Sequence, residues 1–170
     1  MRIASLVFLL LFIQKASAQS PEEQLRKLNI SLPAVSQPIA NYVKFVRTGN
    51  LIFLAGHGPT GADGVTIIGK VGSDLSIEEG YQAARTTAIS LLATLQQAIG
   101  SLNKVKRIVK VNGYVNCGSD FTQHPKVING CSDLLVQIFG EKGKHARAAM
   151  GMNSLPNNMA VEIEMVVEVE

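Results

Sequence analysis

The sequence predicts an α+β fold, a two-layer sandwich in which a mostly antiparallel sheet carries two helices on one face. Three observations predict it. Tyr81, Ala84, Ala88, Leu91, Leu95 and Ile99 recur at helical spacing between a Ser76/Glu79 capping box and Gly100. Pro125 opens a second helix in which Val127, Cys131, Leu134, Leu135 and Ile138 share a face before Gly140. The C-terminal run alternates Val161, Ile163, Met165, Val167 and Val169 with Glu162, Glu164, Val166, Glu168 and Glu170. A period of two with one apolar face is a strand lying on a helix layer.

The remaining elements follow in chain order. Arg2, the apolar run Ile3 to Ile13 and the Ala16-Ser17-Ala18 exit describe a secretory signal peptide, residues 1–18, cleaved to leave Gln19 first. Gln14 and Lys15 stop the run short of the roughly 20 apolar residues a membrane span needs. An uncleaved anchor is the alternative. Residues 19–32 form an N-terminal extension with a short polar helix from Pro21 to Asn29, with Glu22 and Glu23 in its first turn. Leu32-Pro33 and Gln37-Pro38 mark an extended lead-in, since proline disfavours helix in the residue before it. Tyr42 to Arg47 and Leu51 to Ala55 read as strands joined by a tight turn at Thr48-Gly49-Asn50, and a third short strand is expected around Val65 to Ile68. Val105 to Val115 is a Val/Ile-rich strand. Ala146 to Asn153 and Ala160 to Val169 are two more, with Leu155-Pro156-Asn157-Asn158 as the turn between them.

Composition narrows the function classes. The 170 residues are 46% hydrophobic and 17% charged, ordinary values for a folded chain. Lys+Arg 16 against Asp+Glu 13 gives +3, which falls to +1 once Arg2 and Lys15 are removed, so charge gives no case for nucleic acid. With no Trp and 5% aromatics, a base-stacking platform is not expected either. The mature protein is expected to be secreted or periplasmic, with no membrane association after cleavage. Cys117 and Cys131 are either a disulfide, which such a compartment permits, or two separate buried thiols. Asn29-Ile30-Ser31 is a glycosylation sequon if the host is eukaryotic.

Most motif readings fail on context. Gly56-His57-Gly58-Pro59-Thr60-Gly61 matches G-x-G-x-x-G, but Pro59 and Ala62-Asp63-Gly64 make a loop where a dinucleotide site needs a helix. His57, His124 and His145 lack ligand spacing and there is no C-x-x-C, so no metal site is expected. Neither a P-loop nor a nucleophile elbow is present. Arg147 stands out among Ala146, Ala148 and Ala149: a guanidinium in a stretch suited to burial stays charged and demands an anion, from the protein or from a ligand. Glu162 on the following strand is a candidate partner, which would make the pair structural. The acidic face of the last strand is either solvated or closed by other copies of the chain.

His145-Ala146-Arg147-Ala148-Ala149, Leu155-Pro156 and Val161-Glu162-Ile163-Glu164 together resemble the reactive intermediate deaminases (RidA, or YjgF-like proteins). The resemblance extends upstream through Ile128-Asn129-Gly130, the stretch from Gly49 to Gly56 and Ile39-Ala40-Asn41-Tyr42-Val43, so it spans residues 33–170 as one domain. Lys70-Val71-Gly72 is shared with a longer branch of that family. The resemblance implies a chorismate-mutase-like fold, a homotrimer with sites in the clefts between subunits, and no cofactor. It implies hydrolysis of enamine or imine acids, of the 2-aminoacrylate or 2-iminobutanoate type, to 2-keto acids and ammonia, the activity of a 2-iminobutanoate/2-iminopropanoate deaminase. By the same resemblance Arg147 binds the substrate carboxylate and Glu162 orients or activates water. Tyr42 lines the cleft, Gly56 offers backbone groups and Asn129 shapes the pocket. Two positions depart from the common pattern: Ala149 replaces a frequent Cys, and His57 a frequent Gln. A non-catalytic anion-binding or regulatory protein on the same fold is the alternative, as is the ribonuclease or translation-inhibitor activity attributed to some relatives.

Overall fold

A computed structural model describes residues 20–35 and 40–170. The signal peptide and Gln37-Pro38 lie outside the described residues. The elements are α1 (Pro21–Lys27), β1 (Phe45–Thr48), β2 (Leu51–His57), α2 (Ile77–Ile99), β3 (Val105–Asn116), α3 (His124–Phe139), β4 (Ala146–Met152) and β5 (Val161–Val169).

The helices begin and end where the side chains dictate. In α2 the Glu79 amide donates to Ser76 Oγ at 3.2 Å and the Ser76 amide to Glu79 Oε2 at 2.8 Å, which satisfies donors that a helix N-terminus otherwise leaves open. The helix stops at Gly100, whose φ of 80° suits glycine, and its amide donates to the Gln96 carbonyl. Ala84, Ala88, Leu91, Leu95 and Ile99 are buried as a stripe. Tyr81 departs from it. Its ring is partly exposed and its hydroxyl donates to Asp133 on α3, because a phenol tip needs a polar partner that the core lacks.

The sheet order is β1-β2-β5-β3-β4. β1 and β2 form a hairpin closed by Gly49 and Asn50, with Gly49 at a φ of 57°. β5 runs antiparallel between β2 and β3. β4 runs parallel to β3 at the sheet edge, and α3 is the crossover between them. The turn at Pro156–Asn158 is present, with Asn157 and Asn158 both at positive φ, but it carries the chain past β3. Consecutive strands β4 and β5 are therefore not neighbours. The segment around Val65 to Ile68 forms no strand. It makes only isolated pairings, Thr60 with Thr66 and Ile68 with Met159, and its backbone is satisfied there by Pro59 and Ala160.

Val161, Ile163, Met165, Val167 and Val169 are all buried under the helices, so the alternating pattern was a true guide to the core face. Each buried aliphatic of this kind contributes about 1.5–3 kcal/mol. The two helices approach closely through Gly130: a Cβ there would collide with the Tyr81 carbonyl on α2. Among the described residues, no helix is long and apolar enough to cross a membrane. Cys117 and Cys131 are free and buried.

Because the α2–α3 contact leaves no room for a methyl group, Gly130→Ala should destabilise the chain by about 1–3 kcal/mol. The midpoint of urea unfolding reads this directly; an unchanged midpoint would show that the helices can separate without cost.

Candidate active site

The two faces of the sheet carry different chemistry. Arg147 is the register partner of Val111, which is buried under the helices, so the arginine stands on the helix side at the sheet edge. Glu162 is the register partner of Tyr114 and alternates with buried Val161 and Ile163, so it stands on the opposite face. Tyr114 is paired in turn with Met150, three residues along β4 from Arg147. Strand geometry then sets the two Cα atoms roughly 14 Å apart, on opposite sides of the sheet. The Arg147–Glu162 pair expected from consecutive strands is not made, because β3 lies between them.

Arg147 is half-buried and bound by α3. One terminal nitrogen, Nη1, donates to Asn129 Oδ1 at 2.9 Å and to Ser132 Oγ at 3.0 Å. Asn129 and Ser132 are three residues apart on one helix face, which is why both reach the same nitrogen. Ser132 Oγ also lies 3.0 Å from His145 Nε2, and His145 Nδ1 lies 2.6 Å from the Gly143 carbonyl. Both acceptors of the guanidinium are neutral. Among the described residues the only salt bridge is Lys144 with Glu141, so no carboxylate neutralises Arg147. Burial pushes the Cys131 thiol beside it up to about 12, which leaves that thiol protonated, although the arginine's charge acts the other way.

A second cluster lies on the open face. The Glu162 carboxylate sits directly over Gly56 of β2, where any Cβ would collide with it. Gly56 was expected to offer backbone groups; what it visibly supplies is room for this carboxylate. Glu162 has no hydrogen-bond partner among the described residues. Burial, then repulsion from Glu164, raises its pKa above the ordinary carboxylate value. Glu164 itself is held by Asn112 Nδ2 at 2.8 Å and by the Tyr114 hydroxyl at 3.1 Å. Tyr42 is exposed on the segment leading into β1, two residues before Lys44, whose carbonyl accepts from the Ala55 amide next to Gly56.

The predicted site residues therefore fall into two groups. Asn129 and Arg147 are together on the helix side; Gly56 and Glu162 are together on the open face, with Tyr42 at that edge of the sheet. Ser132 and His145 were not anticipated as partners of Arg147. The i, i+3 spacing of Asn129 and Ser132 carried that information once α3 was recognised. His57 is buried, and its ring bridges the Ala55 carbonyl at 2.7 Å and Thr94 Oγ1 at 2.8 Å. Among the described residues no group of three or more His, Cys, Asp or Glu is placed to hold a metal.

The open face is also unusually apolar for a solvated surface. Val46 and Phe53 are paired across β1 and β2, Phe53 is paired with Val166, and Val46 and Phe53 are 55% and 43% exposed. Neighbouring single apolar residues are common on surfaces, but a row across three strands beside a carboxylate is a surface suited to a partner.

Comparison with known proteins bears on the family and the fold. Residues 22–169 match the family described as "YjgF/chorismate mutase-like, putative endoribonuclease". The chain is 41% identical over 145 residues to Protein TCP17 of Trypanosoma cruzi, across 85% of this chain and 91% of that one. It is 29% identical over 142 residues to the 2-iminobutanoate/2-iminopropanoate deaminase of Dermatophagoides farinae, across 83% and 95% of the two chains. The crystal structure of an Agrobacterium tumefaciens protein of unknown function superposes with a TM-score of 0.82 at 39% identity, covering 88% of this chain and 93% of that one. The α+β architecture is thus shared with a solved relative, whereas the activities attached to similar proteins differ.

The electrostatics make a stability prediction. A carboxylate whose folded pKa is raised gives its full stability below its unfolded value and loses it as pH rises through the folded one. Glu162→Gln should therefore raise stability at pH 7 by under about 1 kcal/mol after solvent screening, read as a higher melting temperature, and the gain should vanish near pH 4. His57 and His145 act oppositely at low pH, since burial lowers both below 6.5 and parental stability falls as pH drops beneath that value. A Gln variant less stable than the parent at pH 7 would show that the Glu162 carboxylate has a stabilising partner.

Proposed function

Since the chain belongs to the YjgF/chorismate-mutase-like family, we propose that it hydrolyses small imine acids, and enamine acids after tautomerisation, to 2-keto acids and ammonia. The observation that carries this reading is a guanidinium with only neutral oxygens on Nη1, leaving Nε and Nη2 without an acceptor among the described residues. That free edge has the two-point geometry of a carboxylate. The deaminase name of the Dermatophagoides farinae relative supports the same substrate class.

The chemistry needs little else. An imine carbon is already electrophilic, and an iminium more so, so anchoring the adjacent carboxylate and placing a water supplies much of the catalysis. Glu162 takes a proton from water as its oxygen bonds to the imine carbon, and the C=N pair moves onto nitrogen. The carboxylic acid so formed returns that proton to the amino group. Starting from the iminium, the nitrogen is then an ammonium; its C–N bond breaks, ammonia leaves, and the remaining hydroxyl passes its proton to the Glu162 carboxylate, and from there to solvent, as the C=O forms. A carboxyl group with a raised pKa suits both directions of transfer.

One chain does not present Arg147 and Glu162 to the same small molecule, since the sheet stands between them. We infer a homotrimer in which the Arg147–Asn129 edge of one subunit meets the Gly56–Glu162 face, with Tyr42, of the next. Val46, Phe53 and Val166 support this, as they give the open face something to bury. Export with a mature N-terminus at Gln19 completes the proposal, which places the reaction outside the cytosol.

An amino-acid oxidase generates imino acids continuously, and semicarbazide traps whatever is not hydrolysed, so falling semicarbazone reports activity. Arg147→Lys should slow turnover at low substrate roughly ten- to a hundredfold, because a charge-assisted bond of about 1.5–3 kcal/mol is lost with the planar fork. Arg147→Ala should lose more. Sedimentation equilibrium must show the same oligomer for both variants and the parent. Unimpaired hydrolysis in correctly assembled variants would overturn the assignment; binding of 2-keto acids by the parent without ammonia release would favour a non-catalytic protein.

A further inference from the structure

We propose that His145 and Ser132 form a positioning relay that fixes the Arg147 guanidinium and makes carboxylate binding weaken in acid. The inference rests on the reading of Arg147 as the carboxylate anchor.

The directions of the hydrogen bonds are determined by elimination. The Gly143 carbonyl only accepts, so His145 Nδ1 carries a proton and donates across 2.6 Å. In the neutral ring Nε2 is then bare and accepts, and the Ser132 hydroxyl, 3.0 Å away, donates to it. With its one proton committed, Ser132 Oγ turns its lone pairs toward Arg147 Nη1 at 3.0 Å. The other Nη1 hydrogen goes to Asn129 Oδ1 at 2.9 Å. Both hydrogens of this nitrogen are thereby held, rotation of the guanidinium is blocked, and its Nε–Nη2 edge is left for a ligand.

A second proton on His145 reverses the chain. Nε2 becomes a donor, Ser132 must accept from both sides, and an imidazolium stands one hydroxyl away from a guanidinium. The structure resists that state: burial comes first in holding the imidazole neutral, Arg147 adds to it, and only the bond to Gly143 opposes it. Other charged groups on adjoining elements are engaged elsewhere or lie outside the relay. Lys144 is paired with Glu141, Lys142 donates to the Val105 carbonyl, and Asp133 accepts from Tyr81. Lys110 of β3 is opposite Ala146, and buried Cys131 stays a neutral thiol. His145 is a positioning residue, since it acts through Ser132.

The test is calorimetric binding of 2-oxobutanoate, a 2-keto acid with no imine to titrate, to the parent, His145→Gln and Ser132→Ala between pH 5 and 8. In the parent, Kd should rise about tenfold from pH 7.5 to 5. Protonation of Glu162, favoured by its burial, removes a negative charge and favours an anion, as does positive charge on His145, so weakening points to a lost Ser132 hold on Arg147. Glutamine offers Oε1 to the Ser132 hydroxyl and cannot take a proton, so His145→Gln should bind as the parent does at pH 7.5 and keep that affinity at pH 5. Ser132→Ala should bind about three- to tenfold more weakly at pH 7.5, with the acid weakening lost. Acid weakening that persists in both variants, or is missing from the parent, overturns the relay. If Arg147→Ala binds 2-oxobutanoate as well as the parent does, the anchor reading fails, and the relay's purpose with it.

Discussion

A guanidinium half-buried against a helix keeps its charge, and desolvating that charge against neutral oxygens alone costs free energy. The chain accepts this at Arg147. Asn129 and Ser132 hold one nitrogen, the histidine behind them holds the serine, and no acid among the described residues closes the other edge. A merely structural arginine at this strand edge would be expected to take a carboxylate, and the four glutamates Glu162, Glu164, Glu168 and Glu170 were within the repertoire of the sequence to supply one. The arrangement instead keeps the charge available, and the rest of the site is organised around it.

That organisation depends on how closely the helices pack. Gly130 lets α3 touch the α2 backbone, and Gly113 of β3 lets Ile128 of α3 settle onto the sheet, since a Cβ at either position would collide. Asn129 lies between these two contacts, so its side chain is aimed by packing on both sides. The same logic governs the other face, where Gly56 removes a side chain from beneath Glu162. In both half-sites the glycines matter less for backbone freedom than for the space they leave to a functional neighbour.

Much of this was legible in the sequence. The capping box of α2, the apolar face of α3 and the alternation of β5 are local patterns, and each placed its element correctly. The pairing of Arg147 with Glu162 was not legible, because adjacency in sequence says nothing about a crossover that inserts β3 between two strands. The expected strand at Val65 to Ile68 failed for a related reason: β-branched residues favour extended backbone, but a strand also needs a free sheet edge. Tyr81 fitted the helical period yet turned to Asp133, since periodicity does not register a phenol's need for a partner. Resemblance to a family named the candidate residues; only the topology showed that they divide into two groups on opposite faces.

The central claim is that a complete site takes Arg147 from one chain and Glu162 from another. Its most direct test mixes two inactive variants. Arg147→Ala and Glu162→Gln, unfolded together, refolded in equal amounts and assayed for imine hydrolysis, should recover about a quarter of parental activity, since random assembly places both native residues at that share of interfaces. Each variant refolded alone should stay inactive. Mixed assemblies that form but recover nothing would contradict a site shared between chains.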